Sequence, residues 1–191
     1  MANSTRYNKL SRRITVIESS YLPSVNSLGN YSSKEQDDIR AYLLLIHAEI
    51  ESYFEEISEE KVKKAFLTWQ ENRKKSNVLL SLVSFSDVVL NQNEIETRVN
   101  KALTHYIAKI KINHGIKEKN ILELLLPVGL EYQSLDTTWL NTMSSFGNIR
   151  GEVAHSASTV QQPLDPDTLK NTVKLILLEI KRFDELIKKL K

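Results

Sequence analysis

At 191 residues, with 41% apolar and 26% charged side chains, the chain is long enough to bury a sizeable core within one domain. Its 26 basic and 24 acidic residues leave a net charge of +2, too small for nucleic-acid binding by overall charge, so any RNA contact must be a local patch. It has no cysteine, which excludes disulfides, thiolate zinc sites and cysteine nucleophiles and suits a reducing cytoplasm.

The opening residues carry no apolar signal-peptide core, and no apolar run approaches the ~18 residues of a membrane span. The expectation is a soluble, cytoplasmic protein with no membrane partner. A first helix is expected over residues 4–18, with Leu10, Ile14 and Ile17 inward. Ser32 with Glu35, or Ser33 with Gln36, forms a capping-box start. Behind it Ile39, Tyr42, Leu43, Ile46, Ile50, Tyr53, Phe54 and Ile57 recur in steps of three and four, which a strand cannot produce. Ser58 reads as the cap of a separate shorter helix carrying Val62, Ala65, Phe66 and Trp69.

Residues 73–77 read as a break, and residues 78–90 show no clean period. Helix resumes near Glu94, with Ile95, Val99, Leu103, Tyr106, Ile107 and Ile110, and stops at Asn113-His114-Gly115. Asn120 with Glu123 suggests another capping-box start, ending near Pro127 and Gly129. Asp136 caps the next helix, which carries Trp139, Met143, Phe146 and Arg150. A polar loop over residues 156–163 leads to Asp165-Pro166, an N-cap followed by proline in the first turn. The final helix aligns Leu169, Val173, Ile176, Leu177, Ile180, Phe183, Ile187 and Leu190. Nothing alternates with period two. The reading is an all-α bundle of about six to seven helices, one domain over residues 1–191.

Arg150 and His155 carry most of the functional information. Histidine exchanges a proton near neutral pH, and arginine keeps its charge and matches the oxygens of a phosphate. Phosphodiester cleavage without a metal needs both. The same two residue types also occur at this spacing by chance in helices. Arg150 follows Trp139, Met143 and Phe146 on one apolar stripe, where an unpaired charge is costly. That stripe is expected to supply a dimer interface. His155 lies on a neighbouring stripe with Ser144, Asn148 and Gly151. On a regular helix Arg150 and His155 point about 140° apart, so two symmetry-related copies would share one cleft.

Other candidates have plainer readings beside them. Glu49, at the edge of the buried face, is either an acidic auxiliary of the site or an ion-pair partner of Arg150. His47 reads as a hydrogen-bonded packing histidine. His105 and His114 lack ligand spacing, Asp165 and Asp167 fit a helix start, and neither a metal site nor a cofactor is expected. The runs Arg73-Lys74-Lys75 and Lys188-Lys189 with Lys191 are solvated surface or contacts to an RNA backbone.

The stretch Asn148-Ile-Arg-Gly-Glu-Val-Ala-His155 resembles the R-x4-6-H signature of HEPN domains. The segment from Tyr42 to Phe54, the segment after Gly115 and the helix from Asp136 resemble the RiboL-PSP type in order, so the resemblance covers residues 34–190. It implies an all-helical domain that dimerises into a metal-independent endoribonuclease. Its products would carry 2′,3′-cyclic phosphate and 5′-hydroxyl ends, in defence, stress response or a toxin–antitoxin system, with an antitoxin or regulatory protein as a further partner. Arg150 and His155 would take the catalytic roles, with Glu49, Asn148 and Glu152 auxiliary. Gly151 departs from the pattern, since many active members place Asn, Asp or His there. That departure leaves open a catalytically silent module binding RNA or a partner protein, or a helical scaffold. Ala157 stands where some HEPN toxins carry a tyrosine that is nucleotidylated, so that control is not expected.

Overall fold

The computed structural model describes residues 3–26, 28–86, 94–156 and 162–190. Among them are seven α-helices and no strand: α1 Thr5–Tyr21, α2 Ser33–Asn72, α3 Asn77–Ser84, α4 Ile95–Ile112, α5 Glu118–Leu125, α6 Thr137–His155 and α7 Pro166–Lys189. A short 3-10 turn, Tyr132–Ser134, precedes α6. Residues 87–93, within the stretch of unclear period, and residues 157–161, with Ala157 and most of the polar loop, lie outside the described residues.

The 40-residue α2 organises the molecule. It packs against α1, α3, α4, α5 and α6, while α7 closes over α1 and α6. Of the two capping-box alternatives, Ser32 with Glu35 forms: the Ser32 hydroxyl accepts from the Glu35 N–H, and the Glu35 carboxylate accepts from the Ser32 N–H at 2.8 Å. All eight stripe residues named from Ile39 to Ile57 are buried as the periodicity predicts.

The expected second helix start at Ser58 is corrected. Ser58 is fully buried in the interior of α2, and the helix runs on to a left-handed Arg73 (φ 52°). No glycine or proline occurs between residues 33 and 76. The apolar stripe continues unbroken through Val62, Ala65, Phe66 and Trp69, so a polar residue able to cap is overridden by packing.

Asn120 is corrected in the same way. Helix α5 begins at Glu118 without a side-chain cap, and Asn120 donates to Asn113 Oδ1 at 2.6 Å while Asn113 Nδ2 donates to the Asn120 carbonyl at 3.0 Å. The pair clamps the turn after α4, where Gly115 takes φ +125°. Asp136 and Asp165 cap α6 and α7 as expected, and Pro166 sits in the first turn of α7.

One continuous core joins all seven helices, with Phe54, Trp139 and Phe183 within it. The Trp139 ring meets Phe183 edge-on at 4.7 Å and Phe54 at 6.1 Å. Such pairs add about 0.5–1.5 kcal/mol beyond area burial. Gln36 then fixes the approach to α7: its amide donates to the Leu164 carbonyl at 3.0 Å, and its Oε1 accepts the Leu164 N–H at 2.9 Å. The start of α7 is thereby tied to the start of α2.

Candidate active site

Helix α6 is oriented by its apolar stripe. Asp136 accepts the Trp139 N–H at 2.7 Å to begin it, and Trp139, Met143 and Phe146 are 5%, 0% and 1% exposed. These three residues were expected to meet a second copy. That expectation is corrected: they pack in the protomer's own core, between α2 and α7, and leave no surface to share. The sequence could not distinguish a stripe facing the home core from one facing a partner, because both bury the same residue types.

Arg150 continues the stripe where the core runs out. It is half-buried, and its Nε is sealed from solvent with no hydrogen-bond partner. Among the described residues, no carboxylate pairs with it. Glu49, one candidate partner, pairs instead with Arg13 of α1, Nε to Oε1 at 2.9 Å. The reason is helical geometry. Glu49 shares the α1-facing side of α2 with Glu56, which pairs with Arg6 and Lys9. Residues two apart point ~200° from one another, so when Glu49 faces α1, His47 and Glu51 face the other way.

The Arg150 charge acts on His47 across the α2–α6 contact. His47 is 2% exposed, and its pKa falls to about 4, by burial first and the Arg150 charge second. Its Nδ1 lies 3.5 Å from Glu51 Oε2 but makes no hydrogen bond, so it is a packing histidine without the expected bond at that nitrogen. Glu51 is occupied elsewhere, its Oε1 accepting the Gly115 N–H at 2.5 Å.

The polar stripe of α6 divides in two. Its first half is covered by the start of α5: Ser144 Oγ accepts the Glu118 N–H at 3.0 Å, and the Lys117 stem lies against Gly147, where a Cβ would come within 3.0 Å of Lys117 Cγ. Its second half is open. Asn148, Glu152 and His155 are exposed on successive turns, and a Cβ at Gly151 would meet nothing within 4 Å. His155 is the last residue of the helix, whose end is closed by the Ser156 N–H donating to the Glu152 carbonyl at 3.0 Å.

The site as built is therefore an open polar face ending in His155, with Arg150 round the helix beside it and about 7.5 Å back along the axis. Lys117 and Glu51 border the site and escaped the sequence reading, and His47, read there only as a packing residue, borders it as well. Only Gly147, an isolated glycine inside a helical pattern, signalled the close approach of Lys117. Among the described residues, no group of three His, Asp or Glu side chains converges to hold a metal ion, and no helix is long and apolar enough to cross a membrane.

Residues 8–189 match the model of the RiboL-PSP-HEPN family, so the match also takes in α1, beyond the segments that carried the resemblance. No curated protein and no solved structure matches the chain. With helices throughout and the arginine and histidine at the end of α6, the chain belongs to the RiboL-PSP-HEPN family.

Proposed function

We propose that the protein is a metal-independent endoribonuclease whose site forms when two copies bring their α6 ends together. The observation that carries this reading is the condition of the two residues. Among the described residues Arg150 has no carboxylate partner, and His155 stands exposed at the end of an open face. An unpaired arginine at the margin of a core is a cost that a bound phosphate offsets.

His155 takes the proton from a ribose 2′-hydroxyl as its oxygen attacks the adjacent 3′-phosphate. The bond from phosphorus to the 5′-oxygen breaks, and that oxygen receives a proton from the histidine of the second protomer. The products are a 2′,3′-cyclic phosphate and a 5′-hydroxyl. Arg150 stabilises the charge that grows on the non-bridging oxygens. Asn148 and Glu152, exposed on the same face, are placed to position RNA. The setting that fits is intracellular defence, stress response or a toxin–antitoxin pair, with a regulatory protein restraining the activity.

A second reading follows from Gly151. Many active members carry a polar side chain at that position, and here there is open space. On that reading the domain binds RNA or a partner protein without cleaving. Incubating purified protein with RNA in excess chelator separates the two. Cleavage giving cyclic-phosphate ends supports the nuclease; tight binding with intact RNA supports the silent module.

A further inference from the structure

Two basic runs of the sequence, one after α2 and one at the end of α7, meet in space. Lys74 from the first and Lys188 from the second line a pocket of about 310 Å³ together with Lys61 and Lys64 of α2 and Ser76. No carboxylate side chain among the described residues lines it. Of the acids on the neighbouring α2 turns, Glu56 and Glu60 pair with Arg6 and Glu59 pairs with Lys63; Glu60 also acts on Lys61, and Glu71 lies one turn beyond Thr68 without lining the pocket. Among the described residues, Lys61, Lys64 and Lys74 make no ion pair.

Lys61 is half-buried and donates to the Leu190 carbonyl at 3.3 Å. Its pKa is drawn below the ordinary lysine value, by burial first and by the Lys64 charge second. Ser76 also caps α3, accepting the Leu79 N–H at 3.1 Å, so the positive end of that helix opens on the same pocket. Like charges gathered around one concavity repel one another, and that repulsion is relieved by an anion with several negative oxygens.

We propose that this pocket binds phosphate groups, either of an RNA backbone or of a free polyphosphate anion. It lies about 20–25 Å along α2 from the level of His47 and Arg150, at ~1.5 Å per residue. It is therefore a second anion site, separate from the α6 face, and it does not require that face to be catalytic. Where the anion is RNA, a strand reaching both sites would span about four nucleotides at their extended spacing of roughly 6 Å, held by backbone charge alone.

The test is a titration of the full chain with sodium tripolyphosphate and, separately, with a twelve-nucleotide oligouridylate. The proteins are wild type, a Lys64→Gln/Lys74→Gln pair and an exposed control pair, Lys101→Gln/Lys174→Gln. Melting curves check that all three fold, as expected for exposed lysines. The pocket pair should weaken at least one probe tenfold or more, and the control pair should stay within about twofold of wild type. A loss confined to tripolyphosphate identifies a free anion as the ligand; a loss with the oligonucleotide identifies the RNA backbone. Absence of binding to wild type, equal binding by the pocket pair, or an equal loss in the control pair overturns the proposal. Because binding is the readout, a protein that binds here but cleaves nothing leaves this site standing and rejects the nuclease reading alone.

Discussion

Arg150 and His47 act on each other across the α2–α6 contact, and neither the imidazole Nδ1 nor the guanidinium Nε has a hydrogen-bond partner. His47 falls to a pKa of about 4 when folded, against 6.5 in a solvated chain. Between those values the unfolded chain binds a proton that the folded chain refuses. Stability from this residue is thus complete above pH ~6.5 and is lost as pH falls toward 4, a swing on the order of 2–3 kcal/mol. Urea midpoints measured across that window should fall with acidity, and His47→Gln should flatten the slope. Arg150→Ala should raise the His47 pKa, read by NMR. An unchanged slope in His47→Gln would place the acid sensitivity in other groups.

Asp184 should prove the most sensitive polar residue of the core. It is 0% exposed and accepts from the Ser4 N–H at 2.8 Å, the Ser4 hydroxyl and the Tyr53 hydroxyl at 3.1 Å. One carboxylate on α7 thereby holds the cap of α1 and a side chain of α2. Removing it strands buried donors at about 1–3 kcal/mol each. Denaturant unfolding of Asp184→Ala should show a loss of about 3 kcal/mol or more. Hydrogen exchange should quicken first in the opening turns of α1. Uniform exchange with unchanged stability would show that the tie contributes nothing.

Elements were legible in this sequence wherever the apolar stripe alone decides them. The stripe residues from Ile39 to Ile57 fall on period and are buried as read, and so are those from Leu169 to Ile187 except Leu177, which is half-buried. Caps competed less clearly. Ser58 and Asn120 have capping chemistry, yet packing along α2 and the Asn113–Asn120 clamp claimed them. At the site, the motif on α6 could be read, but its surroundings could not. Glu49 and His47 differ by two positions and face opposite sides of α2. Only the choice of which side meets α1 decides which of them reaches Arg150.

Trp139 tests the corrected interface. Because its ring packs on Phe54 and Phe183, Trp139→Ala should cost about 3–5 kcal/mol. At about 2–4 °C per kcal/mol for a chain of this size, melting should drop by roughly 10 °C. A variant that melts like wild type but sediments as a smaller species would restore Trp139 to a dimer contact.

Gly151 separates stability from activity. A methyl there meets nothing in the protomer, so Gly151→Ala should stabilise α6 by about 0.5–1 kcal/mol and raise melting by a few degrees. At Gly147 the methyl would press on Lys117, so the same change should gain less. Gly151→Asn restores the polar group common among active relatives and should increase cleavage. If RNA cleavage is indifferent to Asn at this position, Gly151 is not what limits the site.

The last prediction concerns the pair at the end of α6. His155 is exposed at the last position of α6, so His155→Ala should melt within about 1 °C of wild type. Its loss should still reduce cleavage at least about a hundredfold, as general acid–base help is worth ~10²–10⁴. Arg150→Lys keeps the charge and discards the fork, and should lose on the order of tenfold or more, less than Arg150→Ala. If two protomers share the cleft, mixing wild type with excess His155→Ala protein should depress activity beyond dilution. Affinity for RNA should fall as salt rises, since phosphate contacts release counterions. Full activity from a protein that sediments as a monomer at micromolar concentration would reject the shared cleft. Full activity in His155→Ala would reject the motif itself.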